Sequence, residues 1–571
     1  MFRHARAATT TAQALLACLT LGWGAAVIAA EFTVRGATYL DAAEIDQALQ
    51  GTTSVQQAAA ALRQAYSRAG YASVQVRVVG TTLEVYEGRF TAYEGPARYR
   101  PYFSGVLDQE PLRTSDVVTA STRAQQRAGR EGVVLNVSSG PGANEREQTL
   151  VANPVKRPGW RPVRGNFTLG NYGNRFAGRD IGGVGLNLNP GAGTQVDLQL
   201  SKGVNRISQH NEGADYQSAE LNLSLASRWG TYGLRGQVVD FQSGEDSVLI
   251  VPRGTDGDIR RYAVWGEQIA YADPGKALSF SQSVENVHYR IDVDSDTRLF
   301  EQDYTFANLG TRFQFDAPVL PRARIATSAW IKQGISGDFD GIRVPTAGPG
   351  PDPDDGAIRV GGGSGIINIG DLIFVSGGTG TIVIRPGNDA DAPDDPDVVL
   401  DPRGASTGAI SRPDEHFSVG GLGLSFTQQL TRRLALGLTA QGQYTDDTLP
   451  NLEQFVLGGF GNLTAWLPGV AEGDRGYLTR AGLTFSDIRA AGLTFGIGGF
   501  VEAGGAEFAD PVAGAGEWRS LSDGGVSLTA QTGFGTTLTF GYAQGIGSDN
   551  VDSEERSRAR ADLFFYLVQN W

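Results

Sequence analysis

Few residues in this 571-residue chain are spaced for catalysis. One nucleophile signature is present, GASTG at 404–408, a G-x-S-x-G pattern around Ser406. Such a serine works when a strand before it and a helix after it pinch the turn and lift its hydroxyl toward a base. Ser406 has neither; it lies in a stretch of Gly, Pro and Asp, and the match is a chance product of a chain with 78 Gly. Four His, one of them near the N-terminus, show no metal-ligand spacing. The Asp clusters PGPDPDDG and GNDADAPDDPD carry oxygen ligands of the kind Ca²⁺ takes. They lack repeat or EF-hand spacing and read as a solvated acidic loop. No P-loop is present. The expectation is a protein that is not an enzyme, with no cofactor and no metal.

The elements around these residues explain the poverty of chemistry. The first thirty residues begin with Arg3, His4 and Arg6, continue as an apolar run to Ile28 and end in Ala29–Ala30. That is the layout of a cleaved signal peptide over 1–30. Cys18, the only Cys, falls inside the apolar run, so a mature chain has no thiol for disulfides or metal. Loss of Arg3 and Arg6 moves the formal charge from −14 to about −16, which speaks against nucleic acid as a partner.

After Glu31 the pattern is strand, two helices, two strands. Asp41 and Glu44 form a capping box, and Gly51 ends that helix. A second helix starts near Ser54, places Val55, Ala58, Leu62, Ala65, Tyr66 and Ala69 on one face, and stops at Gly70. SVQVRVV and TLEVYEG alternate as a hairpin around Gly80. Residues 91–161 read as a looser version of the same unit, with a helix over 115–128 and strands VVLNVS and TLVANPV. Two small α+β domains, 31–90 and 91–161, are therefore expected, each with an open strand edge able to accept an added strand.

From residue 162 to the end the chain becomes a series of alternating segments. Sixteen are expected: 163–172, 180–189, 193–201, 217–227, 231–242, 259–271, 276–290, 302–315, 320–334, 415–428, 432–445, 475–486, 490–502, 524–532, 536–544 and 560–571. Short links such as NPGAG, ADPGK and TGFGT alternate with long ones such as 202–216, 335–414 and 446–474. That alternation, with segments long enough to cross a bilayer obliquely, predicts a sixteen-stranded antiparallel transmembrane barrel in contact with outer-membrane lipid. Phe565 and Trp571, in the terminal LFFYLVQNW, look like a bacterial barrel C-terminal signal. The stretch 335–414 reads as a flexible external loop, dispensable for folding.

These features resemble the haemolysin secretion and activation family, the outer-membrane transporters of two-partner secretion, which carry two POTRA domains and a sixteen-stranded barrel. QAYSRAGYASVQVRV and LEVYEGRF are similar to a family POTRA domain. NYGNRFAGRD with LNLNPGAGTQVDL resembles the first barrel hairpin, and FGYAQGI the last. FVLGG at 455–459 and GDRGY at 473–477 (Gly473, Asp474, Arg475, Gly476, Tyr477) bracket a long sixth loop, 446–474. GFVEAGG resembles the family's F-x-D-x-G strand, with Glu502 in place of Asp.

The resemblance implies a sixth loop folded into the lumen, its tip Arg paired with the strand acid. Here the tip is Asn462, Leu463, Thr464, Ala465 and Trp466, with Thr464 where Arg would stand. It looks more like the N-L-S-G tip of barrels fused to patatin-type phospholipases, although no patatin domain is encoded. Glu502 then needs another cation, and Arg475 or Arg480 on the following strand is the candidate, while Trp466 anchors the tip through packing and its indole N–H. The implied function is capture of an unfolded secreted partner, a large β-helical exoprotein, by periplasmic POTRA domains and its passage through the barrel to the Gram-negative cell surface. The protein would be a monomer inserted by the barrel assembly machinery. Two alternatives stay open: an outer-membrane assembly factor of the same superfamily, and a passive porin.

Overall fold

The computed structural model describes residues 32–173, 178–204, 215–242, 255–293, 297–340, 413–509, 518–551 and 553–571. The signal segment, Ser406 and most of the Asp-rich stretch lie outside the described residues. The chain divides into two compact units. The first comprises 1–94, 106–114 and 139–150, and the second 95–105, 115–138 and 151–571.

In the first unit β1 (Thr33–Arg35) pairs in parallel with β3 (Thr82–Glu87), which pairs in antiparallel with β2 (Val74–Val79). Helices α1 (Ala42–Leu49) and α2 (Val55–Arg68) lie between β1 and β2 in sequence. Asp41 caps α1 in a full capping box with Glu44, and Ser54 caps α2. Ala58, Leu62 and Tyr66 of α2 bury against Val76, Leu83 and Val85. With β3 central, β1 and β2 are the sheet's two edges.

Glu87 at the end of β3 is the polar centre of this unit. Its carboxylate accepts from the Thr38 N–H at 2.6 Å, the Tyr39 N–H at 2.7 Å, the Tyr66 hydroxyl at 2.7 Å, and the Thr38 hydroxyl. Burial alone would push the carboxyl up, but these donors together hold it below the ordinary glutamate range. A folded value below the unfolded one stabilises fully above the unfolded pKa of about 4.3, and that stability drains as pH falls through the depressed value. Hydrogen exchange on the full chain should therefore show residues 32–94 opening as acid is added below about pH 4.3. Glu87→Ala should open them at neutral pH, at a cost of about 1–3 kcal/mol for each buried donor left without an acceptor. Unchanged protection in that variant would refute the assignment.

Strands β4 (Arg89–Glu94), β5 (Val133–Pro141) and β6 (Glu147–Lys156) form a second small sheet in the order β4-β6-β5, and α3 (Thr114–Arg130) precedes β5. The body of α3 lies in the second unit and docks at two short barrel turns. Thr119 Oγ1 accepts the Ala272 N–H at 2.8 Å, Arg123 Nε donates to the Ile269 carbonyl at 3.0 Å, and Arg130 Nη1 donates to the Gly193 carbonyl at 2.9 Å. The Tyr102 hydroxyl donates to the Ala226 carbonyl at 3.0 Å. Glu131, just past the helix, is gripped by Arg98 at 2.8 Å and Arg127 at 3.0 Å.

The sixteen expected segments are the sixteen strands of a closed antiparallel barrel. They are β7 (Val163–Gly170), β8 (Ile181–Gly191), β9 (Thr194–Gly203), β10 (Asp215–Ser227) and β11 (Gly230–Gln242). Then come β12 (Thr255–Asp273), β13 (Lys276–Val293), β14 (Thr297–Asp316), β15 (Ala323–Asp340), β16 (Ser418–Gln429) and β17 (Leu434–Tyr444). The last five are β20 (Arg475–Ala490), β21 (Leu493–Glu507), β22 (Arg519–Gln531), β23 (Thr536–Asp549) and β24 (Leu563–Asn570). Strands β12 to β15 run past the expected ends because backbone pairing continues after the apolar alternation fades; β13 and β14 reach Val293 and Thr297. Between β17 and β20 lies a separate two-stranded stem, β18 (Phe455–Leu457) with β19 (Ala471–Gly473).

Alternation separates the two faces. On β10, Leu221, Leu223 and Leu225 are 50%, 43% and 48% exposed while Ser224 between them is 3% exposed. Leu309, Leu422 and Val526 continue the exposed apolar band on other strands. Closure leaves no strand edge, so every spanning backbone group has a ladder in which to pair. No helix among the described residues is long and apolar enough to cross a membrane. The seam pairs β24 with β7 over Tyr566–Asn570 and Asn166–Gly170. Asn171 holds one end by donating to the Leu563 carbonyl and accepting the Phe565 N–H, both at 2.8 Å. Trp571 holds the other, where its ring occupies the space beside Gly165.

Candidate functional site: a loop clamped at its tip and its base

Residues 446–474 cross the inner face of the barrel as an arm whose stem is the β18–β19 pair. The tip turns on Gly461 (φ +80°) and Leu463, a non-glycine in the left-handed region (φ +59°). The turn is tied internally. Thr464 Oγ1 accepts the Gly461 N–H at 3.0 Å, and the Trp466 carbonyl accepts the Gly459 N–H at 2.7 Å. Asn462 Nδ2 donates to the Val456 carbonyl at 2.9 Å.

This conformation aims two successive backbone N–H groups at the wall. The Thr464 N–H donates to Glu502 Oε2 at 2.7 Å, and the Ala465 N–H donates to Asp523 Oδ2 at 2.6 Å. Successive amides of this kind form an anion-binding concavity. Arg480 Nη1 meets the other Glu502 oxygen at 2.7 Å. The wall residues stand in one row across four strands, because Arg480 is opposite Glu502, Glu502 opposite Asp523, and Asp523 opposite Gly545. Glu502 is 3% exposed and Asp523 fully buried. The tip position that lacks Arg thus still reaches Glu502, through its backbone, while the cation comes from the wall.

Trp466 closes the row. It is 6% exposed and packs with Leu463, Val470, Phe500, Leu521, Ala543 and Phe564. A Cβ on Gly545 would lie 2.6 Å from the indole Cζ2, so only glycine fits beneath it. Packing against these side chains anchors the ring. The Leu467 N–H donates to the Ala559 carbonyl at 2.7 Å and the Ala561 N–H to the Ala465 carbonyl at 2.8 Å, which tie the tip to the segment before β24.

The arm's base has its own clamp, which carries no signal in the sequence. Glu453, 3% exposed, meets Arg261 Nη2 of β12 at 2.9 Å, the Tyr304 hydroxyl of β14 at 3.3 Å, and Lys332 Nζ of β15. Asn451 beside it exchanges hydrogen bonds with Gln302, both at 3.2 Å. Asp474 secures the outgoing limb. Its Oδ1 accepts the Leu449 N–H at 3.0 Å and its Oδ2 the Ala509 N–H at 2.9 Å. Leu449 packs with Tyr304, Phe306, Phe339 and Phe417.

The rest of the GDRGY motif separates by role. Gly473 runs against the Glu507 backbone, and Gly476 lies under the Phe455 ring. Arg475 turns to Asp446 at 2.6 Å and Glu507 at 3.4 Å, away from Glu502. Tyr477 is 42% exposed and packs on Trp518 at a centroid distance of 5.7 Å on the outer face. Phe565 and Trp571 belong to the seam.

A closed sixteen-stranded barrel with an outward apolar band, an inner loop and small α+β modules ahead of it defines a fold class: sixteen-stranded barrels of the membrane-spanning type preceded by small α+β modules. Within it, the chain shares its fold with CdiB from Escherichia coli, at TM-score 0.66 and 16% identity over 95% of this chain and 90% of that one. CdiB from Acinetobacter baumannii follows, at TM-score 0.60 and 12% identity over 95% of this chain and 89% of that one. No protein-family model matches the sequence, and no curated protein does. The architecture expected from the family resemblance is the one found.

Proposed function

We propose that the chain is an outer-membrane translocator. Its N-terminal α+β modules capture an unfolded secreted partner, and the barrel passes that partner to the cell surface as an extended chain. The observation that carries this reading is the arm held across the inner face by discrete polar clamps. A passive porin has no use for α+β modules ahead of its barrel, whereas a translocator needs both a receptor and a closure. The edges β1 and β2 offer main-chain pairing to an extended segment, with alternate side chains reading its sequence. The docking of α3 on the short turns holds that helix against the turn side of the barrel. Folding of the partner outside then gives direction in a compartment without ATP.

The short β24–β7 seam favours a second reading, an assembly factor that opens between its first and last strands. Deleting residues 32–161 and assaying three properties separates the readings. A translocator loses secretion of a co-encoded partner while its barrel still reaches the outer membrane and conducts ions. An assembly factor loses insertion of other barrels. A porin loses neither. Secretion that persists without residues 32–161 would sink the proposal.

A further inference from the structure

We infer that Glu453 is the pivot of the arm: the lumen opens by release of the tip from Glu502 and Asp523 while the base stays on Arg261 and Lys332. The inference rests on the translocator reading only in making the arm a gate.

Three observations carry it. The first is the arm's construction. Incoming and outgoing limbs pair as β18 and β19, and the limbs are tied together below that pair by Asp474, which accepts the Leu449 N–H on the incoming side at 3.0 Å. The stem is therefore a stiff lever whose two lower ends are fixed, Glu453 to β12, β14 and β15 and Asp474 to Leu449 and Ala509. A lever held there moves at its far end.

The second is an asymmetry in what each release leaves behind. When the tip departs no ion pair breaks: Glu502 keeps Arg480 at 2.7 Å, Asp523 gives up only the neutral Ala465 N–H, and the freed tip groups are backbone N–H donors that water can satisfy. When the base departs, Lys332 loses the one acid it meets among the described residues. Arg261 is left with Glu285 at 3.9 Å, and Glu453 itself leaves a fully ligated, buried site. Unpairing buried charges is the costlier event.

The third is position in the chain. Glu453 and Asn451 lie before the stem begins at Phe455, whereas Thr464 sits midway between the stem strands' inner ends, Leu457 and Ala471, with Ala465 next to it, at the far end of the hairpin.

Two tethers in the full chain test this. Cysteines at Gln302 and Asn451, bridged by a short bifunctional thiol reagent, lock the base. Cysteines at Ala465 and Ala561, whose backbones are bonded at 2.8 Å, lock the tip. Conductance in planar bilayers is read for each, alongside secretion of the co-encoded partner. The base-locked protein should keep its open-state conductance and secretion within about twofold of the unbridged control. The tip-locked protein should lose both, and reduction of a cleavable bridge should restore them. Equal block by both tethers would mean that the arm leaves bodily and would overturn the pivot. So would opening of the tip-locked protein, or an untethered protein that never opens even with Glu502 and Asp523 replaced. Because conductance needs no partner, a chain that opens as expected but secretes nothing would count against the translocator reading and leave the pivot standing.

Discussion

Glu502→Ala is expected to free the loop tip and raise the open probability of the barrel about a hundredfold in planar bilayers. The carboxylate answers two groups at once, the buried Thr464 N–H at 2.7 Å and the Arg480 guanidinium at 2.7 Å. Its removal leaves a buried donor without an acceptor and a guanidinium, itself partly exposed, without its acid. Breaking a buried pair costs about 3–5 kcal/mol, and access of Arg480 to water keeps the effect near 3 kcal/mol, or about two decades in the docked-to-undocked ratio. Thr464→Ala is the informative contrast. The bond to Glu502 is made by the backbone, which alanine retains, so only the hydroxyl's acceptance of the Gly461 N–H is lost, about 1 kcal/mol. A Glu502→Ala protein that conducts like the parent would refute the clamp. So would a Thr464→Ala protein as open as Glu502→Ala, since the contact would then belong to the side chain.

The barrel was legible because its signal is repeated sixteen times. Alternation such as Leu221, Leu223 and Leu225 on β10, with short links on one side, needs no tertiary knowledge. The helix caps and glycine stops of the first unit were equally local, and Asp41, Glu44, Ser54 and Gly70 act where they stand in sequence. The site was legible only in part. The need of Glu502 for a cation, and Arg480 as a candidate, could be read from neighbouring strand positions. What position 464 would do could not, because a backbone N–H is present at every residue and acquires a role only when Leu463 turns left-handed and aims it. Asp523 and Glu453 were invisible for another reason. Each gains its meaning from partners far away in the chain, Ala465 for one and Arg261, Tyr304 and Lys332 for the other, and no spacing rule links them. Asp474 was visible as part of a motif, but its task of tying Leu449 to Ala509 was not.

Gly545→Val should undock the same tip by crowding alone. The row Arg480, Glu502, Asp523, Gly545 ends on a glycine because the Trp466 indole lies over it, and a Cβ there would meet Cζ2 at 2.6 Å and Cη2 at 3.0 Å. Gly545 is paired with Asp523 of β22, which holds its backbone on that side, and the indole is rigid. The ring must therefore leave its packing against Phe500, Leu521 and Phe564, a loss comparable to the about 3–5 kcal/mol of deleting a buried Trp. Trp466→Ala should open the barrel to a similar degree by emptying the same space. The two changes should not add, because with the indole gone the valine has nothing to strike and fills part of the vacated volume. The double variant should then conduct no more than Trp466→Ala alone, a coupling of the size expected for residues in direct contact. Gly499→Val serves as the control, since nothing lies within 4 Å of a Cβ at that position on β21. If Gly545→Val and Trp466→Ala add in full, or if Gly499→Val opens the barrel as far as Gly545→Val does, then the indole is not what holds the tip over that row.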